Sequence, residues 1–320
     1  QSLWGNTFKK INFNSLLFPT SSHNEDLHDY ENYMCATCSV VFQFPEIDDD
    51  ILVDYYNNEY RKSQFALKLN DKEIDLPIAI PWSGYSFQRF HSFYTILESA
   101  KEFYPDAIPT QADAIIDIGA YQGFFLFAAN QAWKCKTIGY DYNHKGIEFA
   151  KRALGITASK VTKDIYHDVF EEKVRFVTLV HVFEHLREPN KFLKHLKNHI
   201  LTKDGYLYME VPNLYGTPLS DPTHFFTYSP DCLRFIIENN GFEVIALSEH
   251  GKPRIKSNTW GNTKMNISVL AKFTQKDTAT LPNFSCDTRL KELYTEQRNI
   301  IKKSISKQLA LTGRSILQAL

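Results

Sequence analysis

Long apolar runs are missing from this chain of 320 residues. No stretch approaches the roughly 18 apolar residues that a membrane-spanning helix needs, so no transmembrane segment is expected. The opening QSLWGNTFKK lacks the apolar core of a signal peptide. Cysteine is scarce: five are present, an odd number, and only Cys35 and Cys38 stand close together. That argues against a disulfide framework, and the expectation is a reduced, cytoplasmic protein. An excess of either charge is also missing, with 36 Lys and Arg against 37 Asp and Glu and a net charge of −1. With no dense basic patch carrying interleaved aromatics, nucleic acid is not an expected partner.

Aromatic residues are plentiful, with 24 Phe and 17 Tyr, and the length suffices for a sizeable core in one large or two smaller domains. The most informative stretch is 113–141. Ala114 to Ile118 is a short isoleucine-rich run, which predicts a buried parallel strand. It leads into Asp117-Ile118-Gly119-Ala120-Tyr121-Gln122-Gly123, then a helix over Phe124–Trp133, a second strand over Thr137–Tyr140, and Asp141. A strand, glycine turn, helix, strand and acid in that order suit an adenosine-containing cofactor. The glycines let backbone approach the ligand, and the acid accepts hydrogen bonds from a ribose. The dinucleotide fingerprint G-x-G-x-x-G is not here; the glycine spacing is G-x-x-x-G.

The pattern Asp-x-Gly-x-x-x-Gly, Asp117 to Gly123, resembles the first motif of class I S-adenosylmethionine-dependent methyltransferases, with Tyr121 in place of the family's middle glycine. The resemblance extends along the chain. Val174–Val180 predicts another apolar strand, which runs into His181-Val182-Phe183-Glu184-His185-Leu186-Arg187-Glu188-Pro189. Glu-His-Leu-x-x-Pro after that strand resembles the signature of a methyltransferase group that includes sugar C-methyltransferases and ubiquinone-pathway O-methyltransferases. The strand Tyr206–Val211 with Pro212-Asn213, the run His224 to Ser229 before a helix over Pro230–Asn240, and Gly241-Phe242 fit the same group. Nearer the N-terminus, Cys35-Ala36-Thr37-Cys38, Val41-Phe42-Gln43-Phe44-Pro45 and Tyr55-Tyr56-Asn57-Asn58-Glu59-Tyr60 resemble the zinc-ribbon-like module that precedes the sugar C-methyltransferase domain. In all, the resemblance covers about residues 33 to 272.

It implies an α/β, Rossmann-like fold: a seven-stranded, mostly parallel sheet with helices on both faces, a small N-terminal module and a helical C-terminal tail. The expected domains are 1–76, a degenerate ribbon and cover; 77–274, the cofactor-binding domain; and 275–320, an amphipathic tail suited to an oligomer contact, to packing on the domain, or to an anionic membrane. S-adenosylmethionine is the implied cofactor. Its expected contacts are Asp117, Gly119, Ala120, Tyr121, Gly123, Asp141, Tyr142, Asp164, Ile165 and His181, with Asp164 and Ile165 at the adenine. Glu184, His185 and His224 are the catalytic candidates, because a base must stand near the transferred methyl group and neutral imidazole suits that role near pH 7. Tyr55, Tyr56 and Tyr60 are substrate-contact candidates. Cys35 and Cys38 form one zinc knuckle, but no second C-x-x-C accompanies it, and only His23 and His28 lie upstream as further donors. A degenerate ribbon without metal is therefore the main expectation.

Helical spacing is also expected over Phe87–Phe103, with Arg89 and His91 off the apolar stripe and exposed. A turn is expected at Lys203-Asp204-Gly205. The module points to a sugar, nucleotide-sugar or glycan acceptor, and only a short tail follows residue 272, which favours transfer to oxygen over carbon. Two rivals belong to other classes. One is a binding or regulatory protein on a decayed methyltransferase scaffold, suggested by Tyr121 and the lost cysteine pair. The other is an NAD-dependent enzyme, which the glycine spacing opposes.

Overall fold

The computed structural model describes residues 8–11, 30–35, 38–55, 85–156, 160–161, 164–167, 172–216, 221–251 and 264–274. Tyr56, Tyr60, His23, His28 and the expected tail at 275–320 lie outside these residues.

Three short antiparallel strands come first: β1 (Phe8–Ile11), β2 (Glu31–Cys35) and β3 (Val41–Phe44). Helix α1 (Asp49–Asp54) follows, where the side chain of Asp48 accepts from the Asp50 N–H and caps the first turn. Tyr55 ends this helix.

The expected helix before the sheet is α2 (Tyr85–Ala100). Then β4 (Ala114–Ile118), α3 (Phe124–Trp133) and β5 (Lys136–Asp141) appear in the predicted order, followed by α4 (His144–Leu154). The side chain of Asn143 caps the start of α4 by accepting from Gly146 N, and Gly155 ends it in the left-handed region. After Gly155 comes the two-residue β6 (Lys160–Val161). It is followed by β7 (Val174–Val180), α5 (Pro189–His195), β8 (Leu201–Pro212), the short β9 (Phe226–Thr227), α6 (Pro230–Glu238), β10 (Phe242–His250) and β11 (Asn266–Phe273).

Seven strands form one sheet in the order β10-β11-β8-β7-β4-β5-β6, parallel from β6 through β8, with β11 antiparallel to both its neighbours. The run of isoleucines in β4 follows from burial on both faces. Ile115 packs on one side with Phe93, Leu97, Phe125 and Leu126, while Ile116 and Ile118 face the other with Phe192, Leu193 and Leu233. Helices α2, α3 and α4 thus cover one face, and α5 and α6 the other.

The turn expected at Lys203-Asp204-Gly205 is instead part of β8. Val174 pairs with Leu201 and Phe176 with Tyr206, so the intervening residues of β8 bulge out of register. No helix of the described residues is long and apolar enough to cross a membrane.

The N-terminal strands are joined to the rest through a shared sheet. β9 adds to β3 as the fourth strand, with Val41 opposite Thr227 and Phe42 opposite Phe226. Gln43 is buried and donates from Nε2 to the Asp221 carbonyl at 2.6 Å. Arg187 bonds to Glu46 and the Ile47 carbonyl, pairs with Asp49 at 2.9 Å, and lies over the Phe225 ring at 4.4 Å. Both sets of contacts grip the loop 221–228, which carries His224.

Candidate active site

The strand order reverses at β4: the chain continues to β5 and β6 on one side and then crosses to β7 and β8 on the other, all parallel. Open α/β sheets bind ligands at the carboxyl ends of strands at such a reversal. The glycine turn after β4 sits there. Gly119 and Ala120 both donate to the carbonyl of Tyr140, at 2.7 and 3.0 Å. Gly119, Tyr121 and Gly123 all have positive φ, at 81°, 47° and 77°.

That conformation costs a tyrosine of the order of 1 kcal/mol or more. Two contacts hold it. The Tyr121 N–H donates to Asp141 Oδ2 at 2.7 Å, and its ring rests on Gly146 of α4, where a Cβ would stand 2.9 Å from the ring carbon Cδ2. The glycine missing from the turn is matched by one on the next helix. Gly119 has no such freedom: an added Cβ would meet the Val182 methyl at 2.2 Å. Gly119→Ala is therefore expected to destabilise the protein by about 2 kcal/mol, from left-handed strain and overpacking together. Thermal melting checks this, and an unchanged midpoint would remove the turn geometry from the argument.

Asp117 is buried and accepts from the Thr178 hydroxyl at 2.6 Å. Burial, with the Asp141 charge nearby, pushes its carboxyl up to about 7, against the lowering effects of the Thr178 hydrogen bond and Arg89. Asp141 is half-buried at the end of β5, and its two oxygens accept from the backbone N–H groups of Tyr121 and Asn143, each at 2.7 Å. Tyr142 beside it is 51% exposed, enough to offer a ring face to a ligand. Asp164 is exposed, with its carboxylate on its own turn at Tyr166 N and His167 Nδ1, while Ile165 is buried in the core.

The residues after β7 make a second cluster. His181 has a φ of 55° and lies between two buried carboxylates, 3.2 Å from Glu184 Oε1 through Nδ1 and 3.3 Å from Glu210 Oε1 through Nε2. Burial alone would raise the Glu184 carboxyl; His181, helped by His185 and His224, overcomes that and brings it down to about 2. Burial would likewise raise Glu210, but His181, Arg89 and His250 drive it far below the usual range.

A short turn, Phe183–His185, delivers Glu184 and His185, and the loop 221–228 delivers His224. The imidazoles of His185 and His224 meet edge to face at 4.8 Å. His185 Nδ1 lies 2.7 Å from the Thr223 carbonyl and Nε2 lies 3.9 Å from Glu184 Oε1. His224 Nε2 is 3.5 Å from Asp221 Oδ2.

All three catalytic candidates are thus together, with His181 alongside. Sequence reasoning missed Glu210, His250, Asp221 and Arg89. Glu210 had a signal, being the one charged residue within the apolar run Tyr206–Val211. Arg89 was expected in solvent and is instead half-buried, donating to the Val180 carbonyl at 3.4 Å. Its long stem lets the guanidinium reach inward from a helix face that looks polar. His91 is exposed as expected. Cys35 and Cys38 are buried thiols in the core with Cys232 of α6, and the Cys232 hydrogen bond lowers the Cys38 thiol to about 7. Among the described residues, the one group of three or more donors gathered at metal-binding range is Glu184, His185 and His224, not the cysteines.

No curated protein matches the sequence. Similar solved structures include an S-adenosylmethionine-dependent methyltransferase from Aquifex aeolicus, 19% identical over 58% of this chain and 97% of that one, with a TM-score of 0.41. Another is an S-adenosylmethionine-dependent methyltransferase from Archaeoglobus fulgidus, 20% identical over 59% and 100%, with a TM-score of 0.40. A third is geranyl diphosphate C-methyltransferase from Streptomyces coelicolor, 14% identical over 60% and 86%, with a TM-score of 0.41. The family model described as a methyltransferase domain matches residues 88–247, which is half of the chain and takes in the glycine turn, Asp141 and the Glu184–His185 pair. The chain belongs to that family and is a class I S-adenosylmethionine-dependent methyltransferase.

Proposed function

We propose that this methyltransferase acts on a hydroxyl group of a small hydroxylated metabolite, in the class of sugars, nucleotide-sugars and glycans. The observation that carries this is the gathering of Glu184, His185 and His224 beside the cofactor crevice. A hydroxyl must give up its proton as its oxygen takes the methyl group, and a neutral imidazole backed by a carboxylate is suited to receive it. With Nδ1 of His185 donating to the Thr223 carbonyl, Nε2 is the accepting atom. Glu184 then favours the imidazolium that forms. The N-terminal strands would supply the outer wall by gripping the loop of His224.

The donor set fits the cofactor. Asp141 would hold the ribose hydroxyls, Gly119 to Gly123 would pass along the methionine part, and Tyr142 and Asp164 would flank the adenine, whereas the Ile165 side chain is taken up by the core. When bound, S-adenosylmethionine supplies a methyl group activated on a sulfonium. The rival reading of a decayed scaffold loses its main support, because Gly146 accommodates Tyr121. The test is a screen of sugars, nucleotide-sugars and glycans for methyl transfer, with mass spectrometry separating O- from C-methyl products. Transfer only to carbon or nitrogen acceptors would overturn the proposal.

Asp117 adds a pH dependence. The groups facing it are Thr178 of β7, Asp141 of β5 and Arg89 of α2. Its folded pKa lies above its unfolded one, so the fold favours the protonated acid. Its stabilising share is complete below about pH 4 and is lost as pH rises through about 7. A cationic cofactor nearby would favour the ionised form. Affinity for S-adenosylmethionine is therefore expected to rise about tenfold between pH 6 and pH 8, with release of a proton, and to become nearly flat in Asp117→Asn. Calorimetry in buffers of different ionisation enthalpy checks this; a flat profile in the wild type would show that Asp117 does not couple to the cofactor.

A further inference from the structure

Glu184 is fully buried, yet neither of its oxygens receives a well-formed hydrogen bond among the described residues. The His181 contact at 3.2 Å lies off the hydrogen-bond axis. A carboxylate in that state is costly unless a positive charge joins it. The groups that act most on Glu184 are the imidazoles of His181, which it shares with Glu210, and of His185 and His224; Arg89 and His250 act on Glu210, at the far side of His181. Its donor atom and those of His185 and His224 all lie within 4.8 Å of one another.

The two imidazoles are held in the manner of metal ligands. Such histidines commonly give their second ring nitrogen to a carbonyl or a carboxylate, which sets the tautomer and the ring plane. Here His185 Nδ1 is on the Thr223 carbonyl at 2.7 Å, and His224 Nε2 faces Asp221 Oδ2 at 3.5 Å. Asp221 is itself held, accepting from the N–H and hydroxyl of Thr223 and offering its carbonyl to Gln43.

We infer that Glu184, His185 and His224 form a binding site for a divalent transition-metal cation. Two nitrogens and one carboxylate oxygen select a borderline ion such as Zn²⁺, Co²⁺ or Fe²⁺ over Mg²⁺, which prefers oxygen alone. Three protein ligands leave coordination positions open. Bonds of about 2.0–2.2 Å require the donors to draw in by about an ångström, within the reach of side-chain rotation. The inference rests on hydroxyl methylation. With the cation in place, an acceptor oxygen takes an open position, its O–H proton leaves to water, and the imidazoles serve as ligands rather than as the base.

The test is titration of chelator-treated, full-length protein with Co²⁺, followed by its d–d absorption, with Zn²⁺ competition. A single site is expected, weakened at least tenfold in His224→Ala and Glu184→Gln. Asp221→Asn, which keeps side-chain volume and touches no metal, is expected to weaken binding about tenfold. The Cys35→Ser, Cys38→Ser double variant is expected to bind as the wild type does. Absence of a single Co²⁺ site, or a site that survives His224→Ala, overturns the inference. So does a site with thiolate charge-transfer bands that is lost in the cysteine variant. Methyl transfer to hydroxyls that persists without any bound cation would likewise overturn the inference while leaving the proposed reaction standing with an imidazole base. Cation binding without transfer to any hydroxyl would overturn the proposed reaction and keep the site.

Discussion

His185→Ala is expected to lower turnover by a factor of about 10² to 10⁴, or roughly 3–5 kcal/mol of transition-state stabilisation, while S-adenosylmethionine affinity changes by no more than about twofold. The separation follows from geometry. His185 stands beyond β7, against Glu184 at 3.9 Å and the His224 ring at 4.8 Å, whereas the proposed ribose contact, Asp141, is at the end of β5. The large effect is expected whether the imidazole receives the proton or holds a cation. Steady-state kinetics beside calorimetric titration separates turnover from affinity. Normal turnover in both His185→Ala and His224→Ala would show that this cluster does not activate the acceptor. A loss of cofactor affinity equal to the loss of turnover would show that the cluster belongs to the cofactor pocket instead.

Asp141→Ala is expected to do the reverse, weakening S-adenosylmethionine by at least about 100-fold. Hydrogen bonds to a charged group contribute about 1.5–3 kcal/mol each, and a carboxylate holding two ribose hydroxyls loses both. Part of the loss comes from the protein itself. Asp141 accepts the N–H groups of Tyr121 and Asn143, so its removal also frees the glycine turn from its anchor. Asp141→Asn keeps one acceptor oxygen and is expected to lose less. Turnover at saturating cofactor should stay within a few fold of the wild type. An affinity equal to the wild type would mean that the acid after the second strand serves the turn alone.

The two experiments probe parts of the site that differed in how plainly the sequence showed them. The turn from Asp117 to Gly123 and the acid at 141 are local: a strand, two glycines and a second strand lie within 29 residues, and periodicity places every element. Strand β4, helix α3 and strand β7 have the bounds that their residue types suggest. The catalytic candidates were legible as types and as a motif. Their assembly was not, since His224 is 39 residues beyond His185, on a loop held by the pairing of β9 with β3, by Gln43 on Asp221 and by His185 on Thr223.

Other features carried no local signal that could outweigh the plain reading. Arg89 sits off the apolar stripe of α2, which argues for solvent; what favours its inward reach is the buried charge of Glu210, with the Val180 carbonyl, both contributed by other elements. Tyr121 looked like an obstruction because the residue that makes room for it, Gly146, belongs to the next helix. Cys35 and Cys38 looked like half of a metal knuckle, and the third thiol near them, Cys232, comes from a helix almost 200 residues later. The Lys203–Gly205 turn was read from composition, and the parallel partner β7 absorbs it as a bulge in β8.

By itself, then, the sequence determined the order and kind of most elements, the glycine turn and acid proposed to hold the cofactor, and the chemistry of methyl transfer, because each depends on periodicity and on motifs within a few tens of residues. Only the tertiary structure decided which charged groups are buried together and which side of a turn a ring occupies. It also decided that the N-terminal strands brace the loop bearing His224. Those outcomes depend on the desolvation and packing of residues far apart in the chain, where no spacing along the sequence can record them.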